Sequence, residues 1–249
     1  MSSKSKIWYS YNGGKSQDDH ISFYENDQFD WVETLQSKFP EIQSEIENYL
    51  LLNEEKIKPY FNESLVTHKT KWKTSAFQFW NWKVKKNAQQ CPKTIAAFSE
   101  IPGLVSLSMS ILESGLTIKP HRGDTNAIIR GHFPISIPGG LPDCGMMVNE
   151  LEREWKEGVP LLFNDAAKHS AWNLTSQRRY VLIFDVIRPE YENRKYLVSA
   201  NVLTGLLFQA VFQSVGFLKK VPKLLIAPFF LLTIGLVWSI LQVRRITRL

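Results

Sequence analysis

The chain has 249 residues, 44% hydrophobic and 22% charged, with a net charge of +6. That length accommodates one substantial domain plus something extra, and its two cysteines, Cys91 and Cys144, give neither a disulfide framework nor metal-ligand spacing, as expected of free thiols in a reducing compartment. Part of the basic excess lies in Lys69, Lys71, Lys73, Lys83, Lys85 and Lys86 among aromatic residues; no nucleic-acid motif accompanies it, and anionic lipid headgroups explain it more simply. Met1-Ser2-Ser3-Lys4-Ser5-Lys6 lacks the apolar core of a signal peptide, so export is not expected. Residues 1–28 read as an irregular lead-in. Trp31, Leu35 and Phe39 then form a short helical face, and Ile42, Ile46, Tyr49 and Leu50 form another after Pro40, which suits a first helical turn. Phe77, Phe79 and Trp82 alternate with polar residues as in a strand, and Cys91-Pro92-Lys93-Thr94 leads into a short helix closed by Ile101-Pro102-Gly103.

From residue 105 the pattern is β, with strands expected over 105–112, 117–121, 127–135, 144–148, 160–163 and 180–187. No intervening helix is long enough for a parallel crossover, which points to an antiparallel jelly-roll. Beyond it, residues 198–218 are uncharged but carry Asn201, Gln209, Gln213 and Ser214, as an interfacial helix or a second span would. Residues 224–243 contain no charge and match the hydrocarbon thickness of a bilayer, so a transmembrane helix is expected there. Lys219, Lys220 and Lys223 precede it and Arg244, Arg245 and Arg248 follow it, so flanking charge gives no orientation. The expected division is a helical and irregular lead-in over 1–69, a β domain over 70–192 and a membrane-associated region over 193–249.

Two histidines carry the chemistry. His121 stands in Pro120-His121-Arg122-Gly123, and His169 follows Phe163-Asn164-Asp165-Ala166-Ala167-Lys168. A histidine taken alone at a strand end is more often an ordinary polar residue. Two imidazoles on one side of a cavity, however, suit iron, zinc, copper or nickel and leave coordination positions open.

His121-Arg122-Gly123-Asp124-Thr125-Asn126, Arg130-Gly131-His132, Trp155-Lys156-Glu157-Gly158, Phe163-Asn164-Asp165 with His169, and Arg179 with Asp185-Val186-Ile187-Arg188-Pro189 together resemble the aspartyl/asparaginyl β-hydroxylase family of iron(II)- and 2-oxoglutarate-dependent dioxygenases. The resemblance covers roughly residues 70–190 and implies a mainly β fold, the double-stranded β-helix or cupin, here with N-terminal helices and a C-terminal transmembrane helix. It implies that His121 and His169 bind iron(II), that Arg179 grips the distal carboxylate of 2-oxoglutarate, and that Ser110, Arg130 and His132 contact that cosubstrate. The position two after the first histidine, a carboxylate in most oxygenases of this type, is Gly123; the resemblance implies a water there, held by Asp165, with Asp124 as the competing candidate. The implied reaction couples dioxygen and decarboxylation of 2-oxoglutarate to hydroxylation of an unactivated C–H bond.

Two substrates are open. The family includes lipid A and ornithine-lipid hydroxylases, and the C-terminal extension with Phe79-Trp80-Asn81-Trp82 and Cys91-Pro92-Lys93-Thr94 looks like the lipid A branch, although Gly123 departs from it. Gly123 instead favours a peptidyl aspartyl or asparaginyl side chain. A lipid acyl chain is the preferred expectation, with the catalytic domain membrane-anchored and facing the cytoplasm, where reduced iron and oxoglutarate are available. A noncatalytic membrane scaffold is the reading of another class, and oligomeric state is not legible.

Overall fold

The computed structural model describes residues 6–68, 70–217 and 221–247. The first five residues, Lys69, Leu218, Lys219, Lys220, Arg248 and Leu249, and the side chains of Lys223 and Thr247, lie outside what is described.

The described strands are β1 (Phe23–Tyr24), β2 (Trp72–Phe79), β3 (Trp82–Lys83), β4 (Leu104–Leu112), β5 (Leu116–His121), β6 (Ile128–Ser136), β7 (Cys144–Val148), β8 (Leu151–Arg153), β9 (Leu161–Phe163), β10 (His169–Asn173) and β11 (Arg179–Ile187). They pair in the orders β1-β9-β6-β11-β4-β2-β3 and β5-β10-β7-β8, every pairing antiparallel. The two sheets face each other across a shared interior, which is the double-stranded β-helix.

Strand β4 shows why the sheets have two different faces. Ser106, Ser108 and Ser110 alternate with Leu107, Met109 and Ile111, and a period of two sends the sets to opposite sides. The apolar set packs with Phe77, Phe133 and Phe184 beneath three helices, α1 (Trp31–Ser37), α2 (Phe39–Asn53) and, after the short α3 (Lys85–Ala88), α4 (Pro92–Ser99). Helix α2 contributes Ile42, Ile46, Tyr49 and Leu50, each buried and each adding about 1.5–3 kcal/mol or less for Tyr of apolar stabilisation. Gly131 on β6 is needed because a Cβ there would lie 2.1 Å from the Phe184 ring on the neighbouring strand. Glu45 of α2 accepts backbone N–H bonds from Lys93 and Thr94 at 2.9 and 2.7 Å, placing a carboxylate on the positive end of α4. The serine set faces the interior, where small polar side chains leave space.

Several elements differ from the sequence expectation. The lead-in is not wholly irregular, since Phe23 and Tyr24 pair with Phe163 and Leu162. Strand β10, His-Ser-Ala-Trp-Asn, was not anticipated because its inward positions, His169, Ala171 and Asn173, supply no apolar alternation. Strands β3 and β8 and helix α3 are too short to leave a periodic signal.

After β11, helix α5 (Lys195–Ser214) turns back into α6 (Lys223–Thr247). They run antiparallel: Phe208 and Phe230 stack edge to face at 5.0 Å, while Arg245 lies 5.3 Å from the Tyr196 ring. Two segments, Pro189–Ser214 and Leu224–Ile246, are long and apolar enough to cross a membrane. The expected boundary at 193 does not coincide with a break in packing. Val198 and Val202 of α5 share a core with Trp80, Ile128, Ile187 and Tyr191, so the first half of that helix belongs to the β domain.

Cys91 and Cys144 are free, fully buried and in different core clusters. Burial pushes the Cys91 thiol up to about 12, with the Glu45 carboxylate adding to the effect. Ellman's reagent is therefore expected to titrate neither thiol in the native protein and both after denaturation. Fast native reaction of either one would contradict this packing.

Candidate active site

His121 closes β5 and His169 opens β10, and the two are direct partners in the ladder between those strands. Cross-strand partners share a face, so both rings enter the interior, with centroids 4.2 Å apart. His121 Nδ1 lies 2.8 Å from the Lys119 carbonyl and His169 Nδ1 lies 2.9 Å from the Ala167 carbonyl. A carbonyl only accepts, so each Nδ1 carries the proton and each Nε2 keeps its lone pair for a ligand. Burial lowers both imidazoles, His169 well below its ordinary range with further help from His121, which keeps them neutral. Two neutral imidazoles with free Nε2 atoms side by side are a suitable donor set for a divalent transition metal. Among the described residues no three histidine, cysteine or carboxylate side chains gather as a metal-binding group.

Asp165 is the nearest carboxylate, its Oδ1 3.8 Å from His169 Nε2. It is completely buried, and its Oδ2 has no hydrogen-bond partner. A Cβ built on Gly123 would fall 1.6 Å from that Oδ2. The space that a side chain at 123 would take is thus filled by a carboxylate arriving from the β9–β10 connection, and the Gly123 N–H donates to the Asp165 carbonyl at 2.7 Å. Burial pushes the Asp165 carboxyl up to about 7 against the opposing pull of Arg130.

Arg130 lies between two carboxylates. Its guanidinium donates to Asp165 Oδ1 at 2.6 Å and to the two oxygens of Asp185, its cross-strand partner, at 2.7 and 3.1 Å. Burial works against the Arg130 charge, but Asp165 and Asp185 outweigh it and hold the group above its ordinary range. It thus braces one carboxylate beside His169 with another.

Arg179, the first residue of β11, is fully buried, and among the described residues no carboxylate pairs with it. Its Nη2 reaches Ser110 Oγ at 3.4 Å, its Cζ lies 4.5 Å from the Trp155 ring, and its Nε and Nη1 have no partner. Burial lowers it to about 10. A buried guanidinium with unsatisfied donors is costly unless an anion joins it, so the pocket fits a carboxylate-bearing cosubstrate. Trp72 Nε1 donates to Ser110 Oγ at 3.0 Å, and Trp155 Nε1 donates to His132 Nδ1 at 3.2 Å. His132 is held neutral by burial and by Arg179 and Arg130, so its Nε2 carries the proton. Ser110, His132 and Arg179 are thereby linked, Ser110 to Arg179 directly and His132 to it through Trp155. Trp72 and the structural role of Asp185 were missed by sequence reasoning. A charge at an inward position of an otherwise apolar strand, Phe184-Asp185-Val186, was the available signal.

A cavity of about 1240 Å³ runs from His121, Gly123 and Arg130 along the inner faces of β2, β4 and β11 to the helices α5 and α6. Asp124 lines it but is turned toward Ser10, Arg130 and Asp185, and burial raises its carboxyl to about 6. The chain leaves β5 at His121, so strand alternation does not govern where Asp124 points.

Fold and site together define a double-stranded β-helix protein with an imidazole pair and a buried guanidinium in its interior. Residues 36–189 match the aspartyl/asparaginyl β-hydroxylase family, and the chain belongs to it. An ornithine lipid ester-linked acyl 2-hydroxylase of Rhizobium tropici is 33% identical over 171 residues, covering 67% of this chain and 60% of that protein. The aspartyl/asparaginyl β-hydroxylase of Mus musculus is 35% identical over 124 residues, 47% of this chain and 16% of that protein. The match therefore spans only part of each relative. A Pseudomonas putida prolyl-4-hydroxylase structure covers 59% of this chain and 86% of its own at 14% identity with a TM-score of 0.44, too remote to carry an argument.

Proposed function

We propose that this protein is a membrane-associated iron(II)- and 2-oxoglutarate-dependent dioxygenase that hydroxylates an unactivated C–H bond of a lipid acyl chain, with its β domain on the cytoplasmic side. The observation that carries the reading is the combination of two free Nε2 atoms with an unpaired buried guanidinium in one interior. His121 and His169 would hold iron, and Arg179, Ser110 and His132 would hold the oxoglutarate carboxylates. Iron with oxoglutarate and dioxygen supplies an oxidant strong enough to take hydrogen from an aliphatic carbon. The chain's own residues position and shield: the Lys119 and Ala167 carbonyls fix the imidazole tautomers, Arg130 holds Asp165 beside His169, and Trp72 and Trp155 keep water from Arg179.

The lipid side of the reading rests on the Rhizobium relative, on the two apolar helices and on the basic, aromatic β2–β3 hairpin beside them, where Phe79, Trp82, Lys83, Lys85 and Lys86 are exposed. Tethering at the bilayer raises the effective concentration of a membrane substrate. Purified protein given iron(II), oxoglutarate and total membrane lipid is expected to add one oxygen atom to a lipid species, read by mass spectrometry. Oxygenation of an aspartyl or asparaginyl peptide with none of lipid would establish the peptide reading instead, and no oxoglutarate turnover under any condition would favour the scaffold.

Arg179→Met separates ligand binding from folding. The variant is expected to weaken oxoglutarate by about 2–3 kcal/mol, roughly 30- to 150-fold in KM. It is also expected to raise the melting temperature of the ligand-free protein by several degrees, because an uncompensated buried charge is removed. A lower melting temperature with unchanged oxoglutarate affinity would make Arg179 a structural residue.

A further inference from the structure

The cavity beside His121 is not closed by the β domain. The polar groups nearest His121 are Ser106, Ser108, Arg130 and Asp185, among aromatic neighbours such as Tyr60 and Trp72, and the wall given by the C-terminal helices is mostly apolar, with Gln209 and Gln213 its two polar side chains. At about 1240 Å³ it exceeds the roughly 300–1,000 Å³ of ordinary small-molecule sites.

The α5–α6 pair is fixed over this opening at several points. Asn81, in the turn between β2 and β3, donates to Ser199 Oγ at 2.8 Å. Tyr11 donates to Asn201 Oδ1 at 2.9 Å and packs its ring edge to face against Phe230 at 4.7 Å. Arg244 covers the Trp82 ring at 3.9 Å. On α6, Ile226, Phe230, Ile234, Val237 and Leu241 are partly or fully covered, whereas Leu224, Phe229, Leu232 and Leu236 are exposed. One side of the helix thus meets the domain and the other presents apolar surface suited to lipid.

We infer that the helix pair is the substrate-binding wall of the enzyme as well as its anchor, and that an acyl chain from the bilayer lies along Phe208, Phe212, Phe230 and Leu231 with its polar end under His121. The inference rests on the lipid reading above and names where the chain binds and in which direction it runs. The polarity of the two walls sets that direction. The carbonyl end of an acyl group meets the serines and Arg130, its methyl end meets the aromatic rings of α5 and α6, and the carbons nearest the carbonyl are those presented to His121.

The test uses the full chain, without metal, in lipid nanodiscs containing a phospholipid with a diazirine near the methyl end of one acyl chain. Photolysis is expected to label Phe208, Phe212 and Phe230, and a diazirine next to the carbonyl is expected to label strand β4 near Ser106 and Ser108. Phe230→Trp, which fills the chamber, should reduce this labelling about tenfold, as should Phe208→Trp if the first variant does not fold. Leu232→Ala, on the outward face, should leave it unchanged. Label confined to Leu224, Phe229 and Leu232, or cavity labelling indifferent to both tryptophans, would overturn the inference even if lipid is oxygenated. Cavity labelling that follows the tryptophans, in a protein that oxygenates no lipid, would sustain this binding site and remove the proposed activity.

Discussion

His169→Ala is expected to lower the proposed iron-dependent oxoglutarate turnover by more than a hundredfold, since losing mere outer partners of a metal ligand already costs about 10–100-fold, and among the described residues His121 and His169 are the two imidazoles that would share the proposed metal. The variant should also lose most of its iron(II) affinity in direct titration. Its fold should survive with a modest penalty: the Ala167 carbonyl loses its partner, worth about 1–3 kcal/mol, and the ring contact with Phe163 at 5.2 Å disappears. Undiminished turnover in a folded His169→Ala protein would remove the iron site proposed here.

Gly123→Ala is expected to be severely destabilising although it adds a single methyl group. The new Cβ would lie 1.6 Å from Asp165 Oδ2 and 2.0 Å from its Cγ, so the carboxylate must leave its place beside Arg130. Breaking a buried ion pair costs about 3–5 kcal/mol, roughly 6–20 °C in melting temperature for a domain of this size. Asp165→Ala alone should be harmful as well. The double variant should be less so than the sum, with a coupling of at least about 1 kcal/mol, because the clash disappears with the carboxylate. A Gly123→Ala protein that melts with the parent would mean that Asp165 moves aside freely, and the account of the glycine given above would fail.

The fold was legible wherever one side of an element faces a core. Ile42, Ile46, Tyr49 and Leu50 mark α2 by spacing alone, and β4 and β11 carry enough apolar residues to be read as strands. Strand β10 was not, because the residues that make it functional are polar and turned inward. The same conflict affects the site. The family resemblance picks out His121, His169 and Arg179, but it does not reveal that Arg130 is paired with Asp185, its partner in the β6–β11 register, and with Asp165 from the β9–β10 connection. Nor does it reveal that Gly123 makes room for a carboxylate 42 positions later; only the folded backbone brings those residues together. The apolar C-terminal run was evident from length and composition, whereas the half of α5 that belongs to the domain core was hidden by its similarity to the rest of that helix.

The contact between Tyr11 and Asn201 joins residues 190 positions apart, and the ring of Tyr11 also meets Phe230. The helix pair that walls the cavity is thus held by Tyr11 as well as by the turn between β2 and β3, at points far apart along the chain. Removing the hydroxyl and ring of Tyr11 would release one of these fastenings and slacken the apolar wall while leaving the two histidines in their ladder.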